Sequence, residues 1–273
     1  SGTICDLPGR LYVPSGYNPS QSYPLVVFFH GSGETGNADN NIAQVNGNIS
    51  GLTAAAASNQ FFLYAPQMSA GAHSWANWAT AERMAAHLQT LYNIDPSKMW
   101  VTGLSMGGNA VWDCICYNTN AFAGAFGCSM SASNIVPAPS LDPLANKPIW
   151  GFVSKDDPKV PYQTTWGAFN TILVLDGLSA VFSTTWSDSG APYYSDGTSY
   201  YAADNLRYTQ YISKGHNTWN TAYTEAPLYT WMLGITNPSS TRDLPTGHTL
   251  LMNLGSGFAP SRDSRGKYWN FVC

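Results

Sequence analysis

Apolar residues in this chain collect into short unbroken runs separated by polar, turn-rich stretches, and the runs alternate with segments of helical spacing. Pro24-Leu25-Val26-Val27-Phe28-Phe29-His30 is a continuous β-branched and aromatic run, which predicts a central strand buried on both faces. Phe61 to Pro66, Met99 to Thr102, Phe122 to Ser129 and Pro148 to Val153 read the same way. Arg10 to Pro14 predicts a further strand near the start, and Asn205 to Ile212 one in which polar and apolar positions alternate. Leu52 to Ala57 predicts a short helix between them. Thr80 to Tyr92 sets Met84, Leu88 and Leu91 at helical spacing, and Asn109 to Tyr117 is a further apolar helical stretch. Strands alternating with helices predict an α/β fold, with a mainly parallel central sheet flanked by helices.

The pattern changes after residue 234. Pro238-Ser239-Ser240-Thr241 reads as a linker, Thr249 to Gly255 as a strand, and Tyr268 to Cys273 as an aromatic terminus. Residues 1–234 are therefore expected to form the main domain and residues 235–273 a short C-terminal appendage. That appendage is too small for a core of its own, so it is expected to pack back on the domain. A disulfide between Cys5 and Cys273 would tie the termini together.

Composition narrows the class of partner. Hydrophobic residues make up 44% of the chain and aromatic ones 14%, but charged residues only 10%, far below the roughly 25% of an average soluble protein. With a formal net charge of −4, no basic surface is available for nucleic acid. No run approaches the roughly 18 apolar residues of a membrane span. The chain starts at Ser1 without an initiator Met or a signal segment, as expected of a processed form. Five cysteines, few Lys and many Asn, Ser, Thr, Tyr and Trp point to a secreted, extracellular protein. No Cys and His carry zinc-ligand spacing, so neither a metal nor an organic cofactor is expected, and the chain is expected to act as a monomer.

Val101-Thr102-Gly103-Leu104-Ser105-Met106-Gly107-Gly108-Asn109 carries the chemistry. It is a G-x-S-x-G sequence between a predicted strand and a predicted helix, the setting of a nucleophile elbow. In such an elbow the serine turns the chain sharply, and small residues on either side let strand and helix pass. Ser105 is the candidate nucleophile. The loop after the Pro24–His30 strand, Gly31-Ser32-Gly33-Glu34, is the expected site of half an oxyanion hole, with the backbone amides of Ser32 and Met106 as the two donors. The acid of such a site follows the serine, in a loop at a strand's carboxyl end, and the histidine comes later. Asp156 and Asp157 both fit by position. Of the five histidines only His216, in Ser213-Lys214-Gly215-His216-Asn217-Thr218-Trp219, fits the order Ser, Asp, His.

Four blocks together resemble a known family: His30-Gly31-Ser32-Gly33-Glu34, the segment Tyr92 to Gly108, Pro148 to Tyr162 with its D-x-x-V-P-Y, and Gly215 to Trp219. The chain resembles the α/β-hydrolase esterases grouped around polyhydroxybutyrate depolymerases and carbohydrate esterase family one, which includes feruloyl and acetylxylan esterases. That resemblance covers residues of about 24 to 233. It implies an α/β-hydrolase fold and acyl transfer by Ser105, His216 and Asp157, since the family's acid precedes Val-Pro by two residues. Just before it the family often has His-Gly, where this chain has Val153-Ser154.

Aromatic residues crowd the loops expected around Ser105. Trp75, Trp78 and Trp219 are the candidate substrate-binding residues, with Tyr193, Tyr194, Tyr200 and Tyr201 in a later insertion. Flat faces flanked by hydroxyls suit a polymeric or oligomeric ester, and the expected substrate is a feruloyl or acetyl ester of plant polysaccharide. Readings kept beside it are a polyhydroxyalkanoate-type polyester depolymerase, a serine peptidase, and a non-catalytic binding protein on the same fold.

Overall fold

The computed structural model describes residues 8–72, 74–75, 78–132, 141–186, 198–203, 205–236, 261–262 and 268–272. In chain order its first half runs β1 (Gly9–Tyr12), β2 (Tyr23–Phe29), α1 (Ala38–Asn46), α2 (Ser50–Asn59), β3 (Phe62–Pro66), α3 (Trp78–Leu91), β4 (Ile94–Leu104) and α4 (Met106–Tyr117). The second half runs β5 (Gly124–Cys128), β6 (Ile149–Ser154), α5 (Gln163–Leu175), β7 (Ser199–Ala203), β8 (Leu206–Tyr211), α6 (Trp219–Ala222), α7 (Ala226–Gly234), β9 (Ser261–Arg262) and β10 (Tyr268–Val272). They build one ten-stranded sheet in the order β7-β8-β6-β5-β4-β2-β3-β1-β10-β9. The stretch β8-β6-β5-β4-β2-β3 is parallel throughout, whereas β7, β1, β10 and β9 join it antiparallel. This is the mainly parallel α/β architecture that the run pattern predicts.

The continuous apolar runs are explained by burial on both faces. Leu25, Val27 and Phe29 of β2 enter a core with Met84 and Leu88 of α3, Val111 and Ile115 of α4, and Phe169 and Ile172 of α5. The intervening Val26 and Phe28 enter the opposite core, with Leu52 and Ala56 of α2 and Leu228 and Met232 of α7. Side chains alternate across a strand, so a strand covered twice must be apolar at every position.

Several elements lie outside what the hydrophobic pattern predicts. Helix α1 is rich in Asn and is started instead by a capping box, in which the Asn37 side chain accepts from the amides of Asp39 and Asn40 and Asn40 returns the bond. α5 and β7 form where the hydrophobic pattern placed no element, and β4 begins five residues before the apolar run, passing through Pro96. Cys114, Cys116 and Cys128 are free and buried, whereas Cys5 and Cys273 lie outside the described residues. So does the expected strand at Thr249 to Gly255. At the C-terminal side, β10 pairs with β1, from Gly9↔Val272 to Tyr12↔Trp269.

Because the central strands are parallel, their carboxyl ends share one edge of the sheet. β2, β4, β6 and β8 therefore deliver the residues around His30, Ser105, Asp157 and His216 to the same side, where an open α/β sheet forms its ligand crevice.

Candidate active site

Ser105 sits between β4 and α4 at φ 53°, ψ −118°, a region non-glycine residues avoid because Cβ crowds the backbone. The neighbouring glycines make the turn feasible. A Cβ at Gly103 would fall 2.4 Å from the Gly107 carbonyl oxygen, one at Gly107 2.0 Å from the Phe29 oxygen, and one at Gly108 2.5 Å from Met130 Cβ. Each approach is shorter than any carbon side chain tolerates, so strand, elbow and helix meet backbone to backbone. The Ser105 amide is fixed by the Cys128 carbonyl at 3.0 Å.

His216 Nε2 lies 2.8 Å from Ser105 Oγ, and His216 Nδ1 lies 2.9 Å and 3.0 Å from the two carboxylate oxygens of Asp157. Nδ1 donates to the carboxylate, which leaves Nε2 free to accept the serine proton. The Asp157 side chain is 1% exposed and that of His216 11%. Asp157 Oδ1 also accepts the amides of Lys159 at 2.8 Å and Val160 at 3.0 Å, fixing the carboxylate before any substrate arrives.

Asp156, the other positional candidate, does different work. Its Oδ1 accepts the Ser154 hydroxyl at 2.6 Å and the Gly215 amide at 2.8 Å. These bonds, the hydroxyl first, hold its carboxyl below the ordinary value. Ser154 Oγ in turn accepts the Lys214 amide at 2.9 Å. Ser154 thus ties the loop after β6 to the loop after β8. Gly215, at φ 58°, makes the turn a side chain would strain. From the other side, Ser129 Oγ donates to the His216 carbonyl at 2.8 Å and contacts Thr218 Oγ1 at 3.0 Å. Residues at the carboxyl ends of β5 and β6 thus clamp the histidine backbone. Ser129 lies outside the four sequence blocks, and Ser154 and Thr218, though inside them, acquire these roles only in the fold.

Register places the loop after β2 beside the elbow. Phe29 pairs with Gly103, so two residues further on Gly31 comes level with Ser105. Ser32 opens a 3-10 turn, Ser32–Glu34, and Met106 is the first residue of α4, where an amide has no intrahelical acceptor. His30 anchors this loop. Burial lowers its pKa to about 4, so it is neutral at pH 7. Its Nδ1 donates to the Gly31 carbonyl at 2.7 Å, and its Nε2 accepts the Met68 amide at 3.0 Å.

The tryptophans correct an expectation. Trp75 is 3% exposed. Its indole N–H donates to the His30 carbonyl at 2.8 Å, and its ring stands edge-on to Phe29 and His30 at 4.8 Å and 4.7 Å. It supports the carboxyl end of β2 and has no open face for a substrate. Trp219 is buried and edge-on to His216 at 5.4 Å, a backing for the histidine. Trp78 opens α3 with its side chain outside the described residues, as are Tyr193 and Tyr194. Tyr200 and Tyr201 pack on Trp150 and Phe182. Trp75→Ala should therefore cost about 3–5 kcal/mol of stability, as large-to-small core changes do. Urea unfolding checks this, and an unchanged midpoint with lost binding would restore the substrate role.

Among the described residues no three His, Cys, Asp or Glu converge as a metal site requires. The arrangement that is present, a strained hydroxyl, an imidazole and a buried carboxylate in sequence, can perform nucleophilic acyl transfer.

No protein-family model matches the sequence, and no curated protein sequence matches it. Solved structures do. A thermostable esterase is 24% identical with a TM-score of 0.65, covering 85% of this chain, which spans 60% of that protein's length. A mutant feruloyl esterase module from Clostridium thermocellum, complexed with sinapinate, is 12% identical with a TM-score of 0.56, over 81% of this chain and 79% of its own. An acetyl xylan esterase from Aspergillus awamori is 15% identical with a TM-score of 0.55, over 79% and 91%. The chain thus has the α/β-hydrolase fold that these esterases share.

Proposed function

We propose that this protein is a serine carboxylesterase. The observation that carries the reading is the continuous hydrogen-bonded line from Ser105 Oγ through His216 to Asp157, set on a strained elbow. His216 Nε2 takes the Ser105 proton as Oγ bonds to the ester carbonyl carbon. The amides of Ser32 and Met106 hold the oxyanion, and the imidazolium returns the proton to the departing alcohol. Water, deprotonated by the same imidazole, then releases the acyl group. Asp157 fixes the ring and stabilises its positive charge.

The substrate class proposed is a polymer ester, in first place a feruloyl or acetyl ester of plant polysaccharide, acted on outside the cell. The structural neighbours, several of them esterases, support the ester class, and a chain only 10% charged offers little to select an ionic metabolite. Hydrolysis of p-nitrophenyl acetate, with Ser105→Ala as control, tests the esterase. Release rates from feruloylated xylan, acetylated xylan and polyhydroxybutyrate test the polymer, and exclusive action on the polyester would overturn the polysaccharide assignment.

The two neighbouring carboxylates separate cleanly. Asp157→Asn should lower kcat by about 10³ or more, since the amide favours the wrong imidazole tautomer. Asp156→Asn should lower it by about tenfold or less, because Asp156 holds only the loop. Steady-state kinetics on both variants check this, and the reverse ranking would assign the acid to Asp156.

A further inference from the structure

The turn after β2 is held less by its own bonding than by the end of β3. Its internal backbone bond, from the Glu34 amide to the Gly31 carbonyl, is long at 3.4 Å. Gln67, the residue after β3, supplies what the turn lacks. It is 3% exposed, and its backbone amide donates to the Pro8 carbonyl at 2.7 Å. Its side-chain Nε2 lies 2.8 Å from the Glu34 carbonyl oxygen, 2.9 Å from that of Met68 and 3.3 Å from His30 Nε2. Only the amino end of the amide can face two carbonyl oxygens, so its neighbours fix its orientation. Oε1 is buried and, among the described residues, receives no hydrogen bond, a cost that packing alone does not require.

Gln67 and its neighbour Met68 grip the turn at both ends. On the exit side Gln67 holds the Glu34 carbonyl, and the Met68 carbonyl accepts the Gly36 amide at 2.8 Å. On the entry side the Met68 amide donates to His30 Nε2 at 3.0 Å, and His30 Nδ1 donates in turn to the Gly31 carbonyl at 2.7 Å. That carbonyl belongs to the same planar peptide unit as the Ser32 N–H. Fixing the oxygen therefore fixes the direction in which the N–H points.

We propose that Gln67 is a positioning residue for ester hydrolysis, which keeps the Ser32 amide aimed at the oxyanion by locking the turn after β2 onto the end of β3. This rests on Ser105, His216 and Asp157 being the acyl-transfer machinery and on the Ser32 amide being a donor to the oxyanion. Gln67 acts through the turn, not on the substrate. An oxyanion donor lowers the barrier most when it is already in place as the charge develops, because reorienting it during the reaction consumes the gain. A turn released from Gln67 loses that advantage while Ser105 and His216 stay where they are.

The test compares wild type with Gln67→Leu, which removes both donors at similar volume, and with Gln67→Asn, which keeps the amide but withdraws it by one methylene. Active sites are counted by fluorophosphonate labelling carried to completion, so kcat is read per competent molecule and unfolded protein does not enter. Acylation and deacylation both pass through an oxyanion in the same hole. On p-nitrophenyl acetate kcat should therefore fall about 30-fold in Gln67→Leu, less than the roughly 10²–10³ that follows deletion of a donor, while KM stays within about twofold. Gln67→Asn should lose less. An aryl trifluoromethyl ketone, whose carbonyl carbon bonds to Ser105 Oγ and whose oxygen becomes the oxyanion, should bind more weakly by the same factor as kcat/KM falls. A residue serving stability alone would lower the melting temperature and the number of labelled sites, and leave kcat per site and ketone affinity unchanged. That outcome in both variants, or in whichever one folds, would overturn the role of Gln67. Wild-type protein that hydrolyses the ester yet takes no label at Ser105 would instead overturn the acyl-transfer reading on which it rests.

Discussion

Ser105→Ala and His216→Ala are each expected to lower kcat/KM on p-nitrophenyl acetate by a factor on the order of 10⁴ or more, with the double variant little worse than either single one. The two side chains act as one unit, 2.8 Å apart. Removing the hydroxyl removes the nucleophile, and removing the imidazole leaves a hydroxyl that ionises too rarely to attack. Non-additivity distinguishes this from two unrelated structural losses. Alanine at Ser105 should also melt close to wild type, because it keeps the Cβ and so the same strained turn at φ 53°, and the hydroxyl it removes bonds only to His216 among the described residues. Kinetics and circular dichroism melts on the three variants check both points.

Among the described glycines, Gly107→Ala is expected to be the most destabilising added methyl, by about 3 kcal/mol or more. The added carbon would stand 2.0 Å from the Phe29 carbonyl oxygen and 2.7 Å from that of His30. Neither can yield, since β2 is hydrogen-bonded between β3 and β4. Relief would require α4 to lift off the sheet, dragging Ser105 and Met106 with it, so activity should fall with stability. Alanine at Gly167, inside α5 where a Cβ meets nothing within 4 Å, is the control: it should leave activity unchanged and stability equal or up to about 1 kcal/mol higher. Urea midpoints for the pair check the prediction.

Those glycines also explain why the elbow was legible in the sequence. Its geometry is local and steric, so the chemistry of the turn is written in adjacent residues. The buried strands were legible for a related reason, since a strand covered on both faces must be apolar at each position, as Val26 and Val27 are. Helix α1 was not, because it is started by the Asn37 side chain and has only Ile42 and Val45 as large apolar side chains. The choice between Asp156 and Asp157 was not decided by position either. What separates them is which amides each carboxylate meets, Lys159 and Val160 for one and Gly215 for the other, and the last is fixed by β6 pairing with β8 across more than fifty residues of chain. The inward placement of Trp75 and Trp219 was hidden for the same cause. An indole in a polar loop can face outward or inward, and the choice depends on acceptors such as the His30 carbonyl that only the assembled fold supplies.

The most direct test of Ser105 as the nucleophile is covalent. Treating the protein with a fluorophosphonate and mapping the adduct by peptide mass spectrometry should find one phosphonyl group, on the peptide carrying Ser105, with activity lost in proportion to labelling. His216→Ala should label far more slowly, because the same imidazole that activates Ser105 toward an ester activates it toward phosphorus. Full labelling of a different residue, or full labelling of Ser105 with activity unchanged, would contradict the assignment.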